Sequence, residues 1–457
     1  MKTMKTPFYI VIVAFMISSL SACNDFLDKE PISQITPDEY FNSETNANSA
    51  VIGMYRSMLN SFSFGQSIII VPEFSAGHVS HASVYPEYEN FRTNNIQVNN
   101  PWTNNMWQAT YATINAANNI ITRVPEMPES TISPEKKQQF VGEAKFVRAL
   151  NYFFLVRAFG AIPLKTTATT EEENIAIPRS PVDQVYQQII TDLQDASTLP
   201  DNYGDDATSK GRATSFAAKA LLAKVQLYDG QITGDYSQAA SLSQEIINSQ
   251  RFVLISDFAS IWTTENTQES IFELQFDNQA TNPLASVSND NPSMLFYARG
   301  NTVYEKYTAE DKRRDFTVKS GSRDRFYIGK FPKASPPTQN LPVIRIAEIY
   351  LIHAEAQART DGMISDAAYN SYKAVQGRAG LTSAPINSFG SVENFIIAVQ
   401  EEKERELMFE GEAWFDFCRT GLALDRMLVK KDPNYYLYPI PSSQIVLNGE
   451  LTQNPGY

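Results

Sequence analysis

Residues 84–105, VYPEYENFRTNNIQVNNPWTNN, crowd Tyr85, Tyr88, Phe91, Arg92, Asn99, Trp102 and Asn104 into one short stretch. Flat rings pack against the C–H faces of a hydroxyl-covered ring and exclude water from them. Amide and guanidinium groups beside such rings read the hydroxyls by hydrogen bonds. The combination points to sugar recognition on an exposed loop. Trp102 leads the candidates: Pro101 precedes it and a helix opens after it, which displays it at a loop edge. A second stretch, 291–331, adds Tyr297, Arg299, Asn301, Tyr304, Phe326 and Tyr327.

Catalytic patterns are weak by comparison. His78 and His81 stand three apart, yet no cysteine or acidic residue lies at ligand spacing, so no metal is expected. His353, in the helical run IYLIHAEAQ, reads as a packing residue. Neither a Gly-x-Ser-x-Gly elbow nor a phosphate loop occurs. Glu401, Glu402, Glu404, Glu406, Glu410 and Glu412 could hide a carboxylate pair for glycoside cleavage. They alternate with Lys403 and Arg405 on one helical run, which reads instead as a solvated or ion-paired face. The expectation is a binding protein, not an enzyme, with no cofactor.

The N-terminus sets the compartment. Lys2 and Lys5 precede an apolar run from Phe8 to Ala22, too short to span a bilayer comfortably and suited to a signal-peptide core. It ends Leu20-Ser21-Ala22-Cys23, the bacterial lipobox pattern. Residues 1–22 are therefore expected to be removed and Cys23 lipidated, holding the mature protein on a membrane. Multiple acyl chains anchor far more firmly than one. The net charge of −13 argues against nucleic acid, whose binding needs a basic stripe. With Cys23 acylated, Cys418 has no disulfide partner and reads as a small buried hydrophobe.

Helical patterning must position the candidate residues. Apolar spacing predicts helices over 106–124 and from Pro134 to Phe159, the second apolar almost all round in its later half. Another starts at Pro181. Two helix pairs follow, 214–230 with 235–249 and 345–362 with 365–380. Ala217, Ala220 and Ala223 allow close helix approach, and Gly230 and Gly234 punctuate the first turn. Both pairs read as degenerate tetratricopeptide-like repeats. A last long helix is expected from Val392 to Arg419. Segments 60–104 and 252–340 break the pattern, with a few short strands such as SIFELQF at 270–276. Long irregular segments in a compact protein are usually functional, and abundant aromatics argue against disorder.

Six blocks carry a family resemblance: CNDFLDKEP at 23–31, WQATYATINAANNII at 107–121, EAKFVRALNYFFLVRAFGAIPL at 143–164, RIAEIYLIHAEAQAR at 345–359, EEKERELMFEGEAWFDFCRTG at 401–421 and YLYPIPSSQIVLNGELTQNPGY at 436–457. In this order they resemble the SusD/RagB-like outer-membrane lipoproteins. The resemblance implies a mostly α fold, a tetratricopeptide-like helix-pair bundle carrying a large irregular loop region and a few short strands, as one domain over 23–457. It implies delivery of oligosaccharide to a TonB-dependent SusC-like barrel, or peptide capture as in the RagB branch. It places a stacking aromatic just upstream of the helix at 107, at Trp102, and brings the second aromatic loop over the first. Where the family commonly carries an Asp that touches sugar, this chain has Gly77, with His78 or His81 as replacements. Arg405, Glu410 and Arg419 are expected to pin the terminal segment. The candidate ligand-binding set is Trp102, Tyr85, Tyr88, His81, Arg92, Asn99, Asn104, Tyr297, Arg299, Tyr304 and Tyr327.

Overall fold

Local start and stop signals set most of the helices. The computed structural model describes residues 40–82, 85–169, 176–291, 294–322 and 325–457. The signal sequence and Cys23 lie outside the described residues. In chain order the main elements are α1 (Glu44–Ser57), α2 (Ser67–Ser75), β1 (Val79–His81), α3 (Tyr88–Arg92), α4 (Pro101–Arg123), α5 (Pro134–Phe159) and α6 (Val182–Ala196). Then come α7 (Ser215–Thr233), α8 (Ser237–Asn248), β2 (Ser270–Leu274), β3 (Phe296–Ala298), β4 (Val318–Ser320), β5 (Phe326–Ile328) and β6 (Leu341–Arg345). The last four are α9 (Ile346–Asp361), α10 (Asp366–Arg378), α11 (Val392–Glu406) and α12 (Ala413–Thr420). No helix among the described residues is long and apolar enough to cross a membrane.

The scaffold is helical. Ser133 caps α5 by accepting from the Lys136 N–H at 3.3 Å, with Pro134 in the first turn. The later half of α5 is buried nearly all round, from Phe146 to Phe159. The two expected pairs are α7–α8 and α9–α10. In each, a left-handed glycine, Gly234 or Gly362, ends the first helix. Ala217, Ala220 and Ala223 are fully buried. α8 also packs on α9, so the pairs stack in sequence as helical repeats do.

Two expectations change. The run from Val392 to Arg419 is not one helix: α11 ends at Glu406, and Phe409 and Gly411 turn left-handed at φ +68° and +84° before α12. Gly411 lies against the Ile69 backbone, where a Cβ would come within 2.9 Å of the Ile69 Cα. Its N–H donates to Glu73 Oε1 at 2.8 Å. The glutamate run is the ion-paired alternative rather than the solvated one, and it lies inside rather than on a face: Glu402, Glu404 and Glu406 are buried. Their partners arrive from remote segments: Arg313 reaches Glu402 at 2.6 Å and Glu406 at 2.8 Å, and Arg345 and Arg378 also bind Glu406. Burial pushes the Glu406 carboxyl up, and the Arg378, Arg345 and Arg313 charges outweigh it, holding it well below the carboxylate range.

The C-terminal segment is pinned differently from expectation. Arg419 binds Glu355 and Asp416, Glu410 binds Lys330 and Arg345, and Arg405 binds Glu402. The segment is instead held by Asn454, which donates to the Phe159 and Tyr438 carbonyls, and by Arg179, which donates to the Thr452 carbonyl at 3.0 Å. Cys418 packs on the core only half-buried, its Sγ 3.7 Å from the Tyr436 carbonyl.

Candidate ligand-binding site

Three-residue strands bring the two aromatic segments together. β1, β3, β5 and β4 form one antiparallel sheet in that order. The register sets Ser80 opposite Tyr297, Ala298 opposite Phe326, and Lys319 opposite Tyr327. Residues directly opposite share a face. Ser80, Tyr297, Tyr327 and Lys319 therefore run across the outer face, half-buried, while His81 and Phe296 turn inward.

Under that sheet lies an aromatic stack. Tyr88 sits between two near-parallel rings, Phe74 at 5.0 Å and Trp102 at 4.5 Å between centroids. Phe296 meets Phe74 and Tyr88 edge-on at 5.8 and 5.1 Å. Offset and edge-on pairs of this kind suit the ring quadrupoles. Trp102 is not on a free loop edge. It occupies the first turn of α4, where its N–H donates to the Asn100 side chain at 2.9 Å. Its indole Nε1 is buried with no acceptor. Tyr85, 41% exposed, meets Trp102 edge-on at 5.8 Å, and Phe62, 36% exposed, approaches from the other side at 6.0 Å. Phe62, Trp102 and Tyr85 thus form a contiguous aromatic ridge with open outer edges.

Each sequence candidate has a definite place. Tyr88 is buried, so it supports the ridge rather than facing outward. His81 donates from Nδ1 to the Ala82 carbonyl at 2.7 Å and holds Nε2 3.6 Å from Glu89. Arg92 binds Glu89 at 2.7 Å. Tyr297 donates to the His81 carbonyl at 2.9 Å. Arg299 is half-buried, 3.5 Å from the Gly77 carbonyl. Asn99 is exposed on the turn before α4. Two candidates point elsewhere. Asn104 accepts from Ser443 and Gln444 and so fastens the terminal segment to α4. Tyr304 stacks on Phe326 at 5.6 Å and donates to Asp315 at 2.8 Å. His78 is buried between Glu73 and Glu404, 2.6 and 3.0 Å from its two ring nitrogens, and is closed to a ligand.

On the sheet is a hollow of about 470 Å³ lined by Ser80, Tyr297, Arg299, Asn301, Arg325 and Phe326, among others. Sequence reasoning missed Phe62 and Arg325. Arg325 lies within the second aromatic stretch, beside Phe326, and that adjacency was the available signal. Trp102 does not line this hollow. Among the described residues no group of three or more His, Cys, Asp or Glu could hold a metal ion.

Two family descriptions match the chain: "Starch-binding associating with outer membrane" over residues 25–227 and "SusD family" over 297–431. SusD-like protein P2 of Formosa agariphila is 27% identical across all of both chains. SusD-like protein P25 of the same organism is 23% identical over 98% of this chain and 99% of its own. A solved laminarin-binding SusD-like protein is 26% identical, with a TM-score of 0.78 over 91% of this chain and all of its own. Surface glycan-binding protein A from Bacteroides thetaiotaomicron, solved with laminarihexaose, has the same fold at 19% identity, with a TM-score of 0.76 over 90% of this chain and 100% of its own.

Proposed function

Because the chain belongs to the SusD/RagB-like family, we propose that it captures oligosaccharide at the cell surface and passes it to a TonB-dependent SusC-like outer-membrane barrel. In this reading Cys23 carries the lipid anchor and the protein cleaves nothing. The observation that supports it is the ridge of Phe62, Trp102 and Tyr85, rings of the irregular segment 60–104, with Tyr85 edge-on and Phe62 tilted against Trp102 and the outer rims of both exposed. A sugar's C–H face can lie on such a rim, and the polar side chains of the hollow on the sheet can take hydroxyls of the same chain. Tyr88 and Phe74 hold the ridge rigid from below, so little side-chain freedom is lost on binding.

Intrinsic tryptophan fluorescence tests the proposal, because Trp102 sits in the ridge. Laminarihexaose, a hexasaccharide bound by a structural relative, is expected to shift the emission. Tyr85→Ala is expected to weaken that binding roughly tenfold, about 1.4 kcal/mol, while leaving unfolding almost unchanged because the ring is exposed. A shift with peptides but with no oligosaccharide would replace sugar capture by peptide capture.

A further inference from the structure

This chain is acidic, 38 Lys and Arg against 51 Asp and Glu, and its arginines mostly sit on carboxylates. Arg148, Arg157, Arg313, Arg345 and Arg419 bind Asp or Glu in the interior. Even the exposed Arg56 and Arg251 each find an aspartate. Arg299 and Arg325 depart from this habit. Among the described residues neither has a carboxylate within 4.0 Å. Arg299 makes one long contact, 3.5 Å to the Gly77 carbonyl. Arg325 lies over the Tyr297 ring, its guanidinium carbon 4.7 Å from the centroid.

Both guanidiniums line the same hollow, and among the described residues no Asp or Glu lines it. Among the described residues, Glu89 is engaged by Arg92 and His81, and Asp290 by the Ser322 N–H and hydroxyl. Arg92 adds a further positive charge. Burial, then Arg92, push the Arg299 pKa down, and only Glu89 opposes them. Two positive charges with no counter-ion among the described residues, in a partly desolvated concavity of an otherwise acidic protein, form a site built for an anion. Guanidinium forks match the geometry of carboxylate and sulfate, and such bonds are about twice as strong as neutral ones. Ser80, Asn301 and Thr302 supply hydroxyl and amide partners around them.

We propose that the hollow on the β1–β3–β5 sheet binds the carboxylate or sulfate of an acidic sugar, so that the oligosaccharides this chain captures are anionic. This rests on the sugar-capture reading above, and the ridge would hold other residues of the same oligosaccharide.

The test is calorimetric titration of the full chain with four probes: an oligogalacturonate for the carboxylate, a carrageenan oligosaccharide for the sulfate, and laminarihexaose and maltohexaose as neutral controls. At least one acidic probe is expected to bind about tenfold or more tighter than both neutral ones. That advantage should shrink as salt rises from about 50 mM to about 500 mM, since the pairing is solvent-accessible. The double variant Arg299→Gln, Arg325→Gln should cost the acidic probe about tenfold more than it costs the neutral ones, and so erase the acidic preference. Its melting temperature should hold, because no ion pair is broken. Should the variant not fold, the salt dependence of the unaltered chain still decides. A neutral probe binding best, or an acidic probe binding best without response to salt or to the arginines, overturns the anion site and leaves sugar capture standing. No binding by any probe overturns both.

Discussion

Two regions fasten remote irregular segments, and they do it with opposite physics. In one, Glu269, Glu402, Glu406 and Glu410 meet Arg313, Arg345, Arg378 and Lys330 beneath the end of α11, nearly all of them out of water. In the other, Phe74, Tyr88, Trp102 and Phe296 meet under a four-stranded sheet. The charged knot is close to saturated. Arg345 alone binds Glu269, Glu406 and Glu410, and of the knot's guanidinium nitrogens only Arg378 Nε is buried without a partner among the described residues. The aromatic stack is unsaturated, because a ring at its edge can accept another flat surface without losing a contact it already has. A nearly saturated knot can only hold structure, whereas an open stack can hold structure and also receive a ligand.

Breaking the knot should cost most. Glu406→Ala leaves three buried guanidiniums undercompensated, and removing one partner of a buried pair typically costs about 3–5 kcal/mol. Denaturant unfolding checks this. A loss under about 1 kcal/mol would mean that Glu402, Glu269 and Glu410 redistribute to cover the arginines, and that the two regions differ less than their geometry implies. The stack should fail more gradually. Trp102→Ala removes a half-buried ring against Tyr88, for an expected loss of about 2–4 kcal/mol. Trp102→Phe should cost clearly less, because it keeps a ring and removes the buried N–H that has no acceptor. Equal losses for both variants would show that the indole N–H, not ring stacking, ties Trp102 down.

The same contrast explains what could be read from sequence. α5 was legible from Pro134 to Phe159, and so were both helix pairs, because their signals are local: a capping serine, a proline in the first turn, a glycine at the end, apolar spacing of three and four. The sheet was not, because strands of three residues carry too few positions for alternation to show, and His81 pairs with Phe296 more than two hundred residues away. The glutamate run shows the same limit. Its charges required partners, and that much was evident, but Arg313, Arg345 and Arg378 reach it from other elements and bury what looked like a surface. For the site, composition marked the two aromatic stretches. Which rings support and which face outward depended on that sheet, so Tyr88 and Tyr85 could not be told apart.

The smallest effect is a pH dependence, and it separates the regions again through their histidines. His78, just before β1, has Glu73 on Nδ1 and Glu404 on Nε2, with Lys306 and Arg426 also on Glu404 and the Phe417 ring edge-on. Only the imidazolium donates to both carboxylates. Burial pushes its pKa down, but Glu73 and Glu404 outweigh that and raise it above 6.5. The stability it contributes is therefore complete below pH 6.5 and is lost as pH rises through the folded value. His353, inside α9, bonds the Ser371 hydroxyl at 2.8 Å, and burial lowers its pKa to about 4, with Asp361 opposing. Its contribution has the other sign: present above 6.5, eroded as pH falls from 6.5 towards 4. His78→Gln should flatten the alkaline limb of the stability profile, and His353→Gln the acid limb, each leaving the other limb in place. If His78→Gln leaves the alkaline slope intact, the imidazole is neutral in the fold, one of its two carboxylates carries the proton, and the clamp beside β1 is a hydrogen-bonded site rather than an ionic one.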